Sequence, residues 1–256
     1  MKVAILAGGQ GSRLSEETTL KPKPMVEIGG KPMLWHIMSI FASQGLTEFV
    51  IALGYKGEVI KDYFLNYHYR ARSFTVRLDN GQVEIHSGNS EDWVVHLIDT
   101  GIDTQTGGRV KRLAEFIGDE CFMLTYGDGV SNISIPRLVE FHRAQGRLAT
   151  VTAVRPPARF GQMVLDGGQV VEFSEKPQIG AGWINGGFFV LEPGIRDYIP
   201  GDAASWEYDS MERLAADGQL AAYRHDAFWQ CMDTVRDVHL LERLWSNGRA
   251  PWKTWD

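Results

Sequence analysis

The apolar positions of this chain fall into short continuous runs that alternate with helically spaced ones. "KVAIL" (Lys2–Leu6) is an uninterrupted run that stops at Gly8-Gly9, the pattern of a strand buried on both faces. Beyond Pro32, the residues Leu34, Ile37, Met38, Ile40 and Phe41 recur at helical spacing, and Gly45 suits the C-terminal cap. "EFVIAL" (Glu48–Leu53) predicts a second buried strand and "EVIKDYFLN" (Glu58–Asn66) a second helix. Strand, helix, strand, helix predicts a largely parallel sheet with right-handed crossovers.

The rhythm then changes. "FTVRLDNGQVEIH" has β-rich arms around Asn80-Gly81, which predicts a hairpin. "VVHLID" continues extended, and "GGRVKRLAEF" (Gly107–Phe116) predicts a helix with Val110, Leu113 and Ala114 on one face. "CFMLTYGDG" (Cys121–Gly129) reads as a buried strand ending in a glycine-flanked aspartate, and "IPRLVEFHRAQG" as a helix. From about residue 149 the pattern is mostly β: "ATVTAV", "GQMVLDGGQVVEFSEKP" with a turn at Asp166–Gln169, "NGGFFVLEP" and "LAAYRHDAFWQCMD". Helices are predicted at "SMERLAADG" and "RDVHLLERLWSNG". The expectation is an α/β protein, a Rossmann-like mixed, mostly parallel sheet flanked by helices with a β-rich C-terminal half. One domain over 1–256 is expected, with a nucleotide-binding lobe at about 1–148 and a second lobe at about 149–256.

Composition narrows the function. The 256 residues carry a formal net charge of -6, so there is no basic excess to hold a nucleic-acid backbone. A bound phosphate must instead meet a few local cations. Val3–Ala7 is too short for a signal-peptide core, and no stretch approaches the ~20 apolar residues of a membrane span. A soluble, cytoplasmic protein is expected, without nucleic-acid or membrane partners. Cys121 and Cys231 lie in apolar surroundings and read as reduced and buried, and no CxxC or His/Cys spacing points to zinc. The seven histidines are scattered and read as structural or surface groups. Trp245, Trp252 and Trp255 read as packing for the tail or as an interface.

The loop after the first strand, "LAGGQGSRL", is almost a dinucleotide fingerprint, but Leu14 stands where the third glycine belongs. The P-loop pattern is absent too. Glycines let backbone N–H groups approach a phosphate or base closely, and Arg13 adds a forked cation beside them. Lys23, between Pro22 and Pro24, is set on a stiff loop, and Pro24 biases it away from helix. A strand, a glycine loop and two cations together point to a polyphosphate ligand.

At this point the chain resembles the sugar-phosphate nucleotidylyltransferases. "GGQGSRL", an eight-residue spacer and "KP" at Lys23-Pro24 match their signature; "TYGDG", "EFSEKP", "INGGFFV" and "WQCMDT" follow in the family's order. "SEETTLKPKPMVEIGGKP", "TGGRVKR" and "APWKTW" are most similar to the branch that makes CDP-glucose. The resemblance implies the nucleotide-diphospho-sugar transferase fold and a reaction of CTP with glucose 1-phosphate giving CDP-glucose and pyrophosphate, as used in O-antigen and lipopolysaccharide synthesis. It implies a homo-oligomer, for which the apolar tail offers a contact surface.

It also implies roles. Leu6, Ala7, Gly8, Gly9, Gly11, Ser12 and Arg13 form the nucleotide loop, with Gly108 and Arg109 completing it. Arg13 is expected on the pyrophosphate side, and Lys23 between the α-phosphate and the incoming sugar phosphate. Asp128 and Asp233 are the expected Mg²⁺ ligands, a hard-oxygen pair. Gly161, Glu175, Lys176 and Asn185 are expected at the sugar phosphate. Arg109 is the candidate reader of cytosine: a donor aimed at N3 suits cytosine and clashes with uracil. A uridylyl- or thymidylyltransferase on the same scaffold remains open, as does a catalytically silent sugar-nucleotide-binding regulatory protein. The missing glycine weakens an NAD-dependent reading.

Overall fold

The computed structural model describes residues 1–9, 14, 18–86, 91–155, 162–167, 169–174 and 182–255. Its centre is an eight-stranded sheet. In chain order the elements that build it are β1 (Val3–Leu6), α1 (Met33–Ala42), β2 (Glu48–Leu53), α2 (Gly57–Leu65), β3 (Val94–Asp99), α3 (Thr106–Ile117), β4 (Phe122–Tyr126), α4 (Ile135–Gln145), β5 (Ala149–Val154), β6 (Ile184–Asn185), β7 (Phe189–Leu191), β8 (Leu220–His225) and α5 (Val235–Ser246). Parallel pairing joins β3 to β2, β2 to β1 and β1 to β4. Strand β7 then runs antiparallel between β4 and β5, and β8 closes the far edge parallel to β5. The mixed, mostly parallel sheet expected from the sequence is the one found. Strands on both sides of residue 149 belong to it.

Alternation along each strand builds two apolar layers. Val3 and Ile5 of β1, Phe49 and Ile51 of β2 and Met123 of β4 pack with Leu34, Ile37, Met38 and Phe41 of α1. Ala4, Leu6, Val50, Ala52, Phe122 and Leu124 face the other way, onto Val110, Leu113, Ala114 and Ile117 of α3. Each large side chain buried here contributes about 1.5–3 kcal/mol. Because both faces are covered, the central strands read as continuous apolar runs, which is how the sequence revealed them.

Several elements depart from expectation in detail. Lys23–Met25 forms a 3-10 turn with Pro24 in its first positions, where Pro24 was expected to hold Lys23 extended. Proline is compatible with the start of a helical turn, and this one is only three residues long. "NGGFFVLEP" splits into β6 and β7, with Gly187 and Phe188 both at positive φ between them. The helix expected at "SMERLAADG" begins earlier, as a π-helical turn over Trp206–Met211 that runs into Glu212–Ala216. The Asn80-Gly81 hairpin forms, pairing Phe74–Val76 with Val83–Ile85. No helix among the described residues is long and apolar enough to cross a membrane.

The C-terminal tail is packed rather than free. Trp252 is fully buried, stacked with Trp245 and Phe228 and set edge-on against His36 of α1. Trp255 meets Trp35 edge to face. These aromatic contacts hold the tail to its own chain, so Trp252 offers no surface to a second copy.

Candidate active site

The C-terminal ends of β1 and β4 open into a cleft of about 600 Å³. Its lining comprises Leu6, Ala7, Gly8 and Gly9 after β1, Lys23 and Pro24 of the short turn, residues 102–106 leading into α3, Arg109, and Tyr126, Gly127, Asp128 and Asp233. Ligands bind beyond the carboxyl ends of strands in open α/β sheets.

Two backbone features bring the carboxylates together. Gly129–Ser131 pairs antiparallel with Trp229–Cys231, Gly129 opposite Cys231, and the Met232 N–H donates to the Asp128 carbonyl at 2.8 Å. Asp128 and Asp233 therefore leave adjacent strands at the same level. Thr234 then caps α5 in a capping box with Asp237, which fixes the backbone immediately after Asp233. Lys23 completes the cluster: its Nζ donates to Asp128 Oδ2 at 2.6 Å and to Asp233 Oδ1 at 2.5 Å. Burial alone would pull this ammonium towards deprotonation. Asp128 foremost, and Asp233 with it, more than reverse that, and the Lys23 pKa lies above the ordinary lysine value. One cation already sits within reach of both carboxylates, so the pair fits a shared hard divalent ion.

Glycine makes the close approaches possible. A β-carbon on Gly127 would stand 2.8 Å from the Leu6 carbonyl oxygen and from Pro24 Cγ; on Gly8 it would stand 2.3 Å from Arg109 Nη1. Arg109 is buried against this floor, at the wall of the cleft. Its Nη1 donates to the Leu53 carbonyl at 3.0 Å and to Thr100 Oγ1 at 2.6 Å, and its Nη2 to the Ile102 carbonyl at 3.3 Å. The side chain thus ties the ends of β2 and β3 and the 102–106 loop to the glycine floor.

Of the residues expected at the site, Leu6, Ala7, Gly8, Gly9, Lys23, Arg109, Asp128 and Asp233 line one cleft. Gly108 does not: a β-carbon there would meet Asp202 Cα at 2.6 Å, so this glycine serves the packing of α3 against the 201–206 segment. Asn185 lies beside the cleft and donates to the Tyr126 hydroxyl at 3.0 Å. Gly11, Ser12, Arg13, Gly161, Glu175 and Lys176 lie outside the described residues. Tyr126, Thr106 and Cys231 are additions the sequence reading missed. Cys231 Sγ sits 3.7 Å from Asp233 Oδ2, half-buried, and burial followed by the charges of Asp233 and Asp128 pushes its thiol up to about 12. It stays protonated and is a poor nucleophile. Away from the cleft, Cys121, His142 and Glu192 converge, a cluster that sequence spacing did not reveal; both His142 nitrogens there have partners, Thr150 Oγ1 at 2.8 Å and Glu192 Oε1 at 3.1 Å.

The family profile described as nucleotidyl transferase matches residues 2–239. The chain belongs to the nucleotidyl transferase family. This transferase is 52% identical over 257 residues to the glucose-1-phosphate cytidylyltransferase of Salmonella typhi, with all of both chains covered. It is 44% identical over 256 residues to the probable glucose-1-phosphate cytidylyltransferase of Bacillus subtilis, again with full coverage of both. Among solved structures, HddC from Yersinia pseudotuberculosis matches with a TM-score of 0.70 at 26% identity, over 95% of the transferase and 99% of that chain. The fold expected from the motifs is the fold of this neighbour.

Proposed function

We propose that this transferase moves the cytidylyl group of CTP onto glucose 1-phosphate, releasing pyrophosphate and forming CDP-glucose. The observation that carries the reading is the convergence of Lys23, Asp128 and Asp233 at the open end of a glycine-floored cleft. Full-length likeness to the cytidylyltransferases of Salmonella and Bacillus supports the choice of substrates.

The base and ribose lie over the backbone of Ala7, Gly8 and Gly9, where the open space beside Gly9 leaves room for a flat ligand. Arg109 fixes that floor and, with three of its five donors already committed within the described residues, directs the remainder of its fork towards the base. Asp128 and Asp233 would hold Mg²⁺, which would offset the charge of the triphosphate. Lys23 neutralises the α-phosphate and the approaching sugar phosphate, and Arg13 the pyrophosphate. Asn185, Gly161, Glu175 and Lys176 receive glucose 1-phosphate. Its phosphate, with a second pKa of about 6, is largely dianionic at neutral pH and attacks without a general base. No histidine lines the cleft among the described residues, and the Cys231 thiol is held neutral. Catalysis rests on alignment and charge neutralisation.

Pyrophosphate release with glucose 1-phosphate and Mg²⁺, compared across CTP, UTP, dTTP, ATP and GTP, tests the reading. Release with CTP well above the other four is expected. Preference for UTP or dTTP would overturn the base assignment, and silence with all five would overturn the transferase assignment of the cleft.

A further inference from the structure

Behind the cleft wall one carboxylate touches both halves of the site. Glu207 Oε1 accepts from the Tyr126 hydroxyl at 2.8 Å. Glu207 Oε2 accepts from Thr106 Oγ1 at 2.7 Å and from Ser205 Oγ at 2.9 Å. Tyr126 and Thr106 line the cleft; Glu207 is half-buried behind them. The glycine pair Gly107-Gly108 allows this: β-carbons there would strike the Ala204 carbonyl oxygen at 2.7 Å and Asp202 Cα at 2.6 Å, so only glycine lets the 201–207 segment reach the start of α3.

The direction of every bond is fixed by its neighbour. Asn185 Oδ1 accepts the Gly187 N–H at 2.9 Å, which turns Asn185 Nδ2 to Tyr126, where it donates at 3.0 Å. The Tyr126 oxygen accepts that bond, so its own proton goes to Glu207. Thr106 Oγ1 accepts the Trp206 N–H at 2.9 Å and Ser205 Oγ the Tyr208 N–H at 3.3 Å, so both of these hydroxyl protons also go to Glu207. Three donors converge on two oxygens. A carboxylate accepts from all of them; an amide carries a donor on one side and fails.

We propose that Glu207 is a positioning residue that sets the polarity of the sugar side of the cleft, holding the Tyr126 proton away from the ligand and the Asn185 amide in register while tethering Thr106 on the nucleotide side. The inference rests on the placement of glucose 1-phosphate beside Asn185. With its proton committed to Glu207, Tyr126 meets a ligand only as an acceptor and so selects a sugar hydroxyl. A glutamine at 207 would turn its amide N–H either against the Thr106 and Ser205 protons or against Tyr126. In the second case the tyrosine proton swings towards the cleft and its polarity reverses. A mismatched donor pair costs more than a missing bond.

A double-mutant cycle on the full-length enzyme tests this. Glu207→Gln and Tyr126→Phe are each expected to raise KM for glucose 1-phosphate about tenfold with kcat within about threefold of wild type, and the double variant is expected to be no worse than the poorer single one. Multiplying effects, or a fall in kcat with KM unchanged, would overturn the proposal. If Glu207→Gln fails to fold, the near-isosteric Tyr126→Phe decides alone: an unchanged KM for glucose 1-phosphate overturns the relay, and a raised one with the KM for CTP unaltered supports it. Lys23→Ala, assayed beside them, separates the two levels. Wild-type turnover in Lys23→Ala would refute the assignment of the cleft, whereas its loss together with an unchanged KM in Tyr126→Phe would refute only the relay.

Discussion

The Lys23 ammonium donates to Asp128 Oδ2 at 2.6 Å, joining a turn near the start of the chain to the end of β4. Its second bond, to Asp233, draws in the residue that precedes α5. Three segments far apart in sequence thus place one cation and two carboxylates within a few ångströms. The lysine keeps the two like charges together.

Lys23→Ala and Asp128→Asn are each expected to lower kcat at least about tenfold, over roughly 1.4 kcal/mol of transition-state stabilisation. Steady-state pyrophosphate release measures this. Near-normal turnover in either variant would remove that residue from its role.

Arg109→Ala leaves the Leu53 carbonyl, Thr100 Oγ1 and the Ile102 carbonyl without their cation. The 102–106 loop should loosen, KM for CTP should rise, and the ratio of kcat/KM for CTP over UTP should fall. A higher KM with the ratio intact would assign Arg109 to the loop alone and not to the base.

Gly127→Ala tests the close packing that sets Asp128. The added methyl would meet the Leu6 carbonyl and Pro24, both 2.8 Å away, and must push apart the segments that carry Lys23 and Asp128. A loss in kcat of about tenfold or more is expected, with the protein still folded by circular dichroism. Unchanged kcat would mean that the cluster adjusts without cost.

His36 links acidity to stability. Its Nε2–H donates to the Ile28 carbonyl at 2.8 Å, and its Nδ1 accepts from the Trp252 indole at 3.4 Å, so the ring is held neutral. Burial foremost lowers its pKa from 6.5 to about 4, Lys31 acting in the same direction and the Ile28 bond and Glu242 against it. The unfolded chain takes up this proton at higher pH than the folded one. The stability contributed is therefore present above pH 6.5 and is lost as the pH falls towards 4, by up to about 3 kcal/mol. Thermal melts between pH 7 and pH 4 should show this slope, and His36→Gln should flatten it. An equal slope in the variant would place the acid sensitivity elsewhere.

What the sequence revealed, and what it hid, follows from which interactions are local. β1, β2 and β4 were legible because burial on both faces makes each an unbroken apolar run. Asp128 stood out between glycines at the end of one of them. Asp233 did not: its place beside Asp128 depends on the pairing of Gly129 with Cys231, and only the motif resemblance pointed to it. Arg109 was legible as a charged residue at the start of a helix, yet its bonds run to Leu53, Thr100 and Ile102, all set by tertiary packing. Glu207 carried no signal at all. Its partners Tyr126, Thr106 and Ser205 come from three separate stretches, and the clue was indirect, in a glycine pair at the head of a helix where each glycine costs up to about 1 kcal/mol relative to alanine. Gly108 was assigned to nucleotide on the same motif and instead makes room for Asp202.

In the proposed reaction the sugar phosphate attacks the α-phosphorus of CTP directly in this cleft, with no protein nucleophile between. The most direct test uses CTP carrying one sulfur on its α-phosphate in a single known configuration, with glucose 1-phosphate as acceptor, and determines the configuration of the CDP-glucose product by phosphorus NMR. A single in-line displacement predicts inversion. Retention would mean two displacements through a covalent cytidylyl-enzyme and would rule out direct attack by the sugar phosphate.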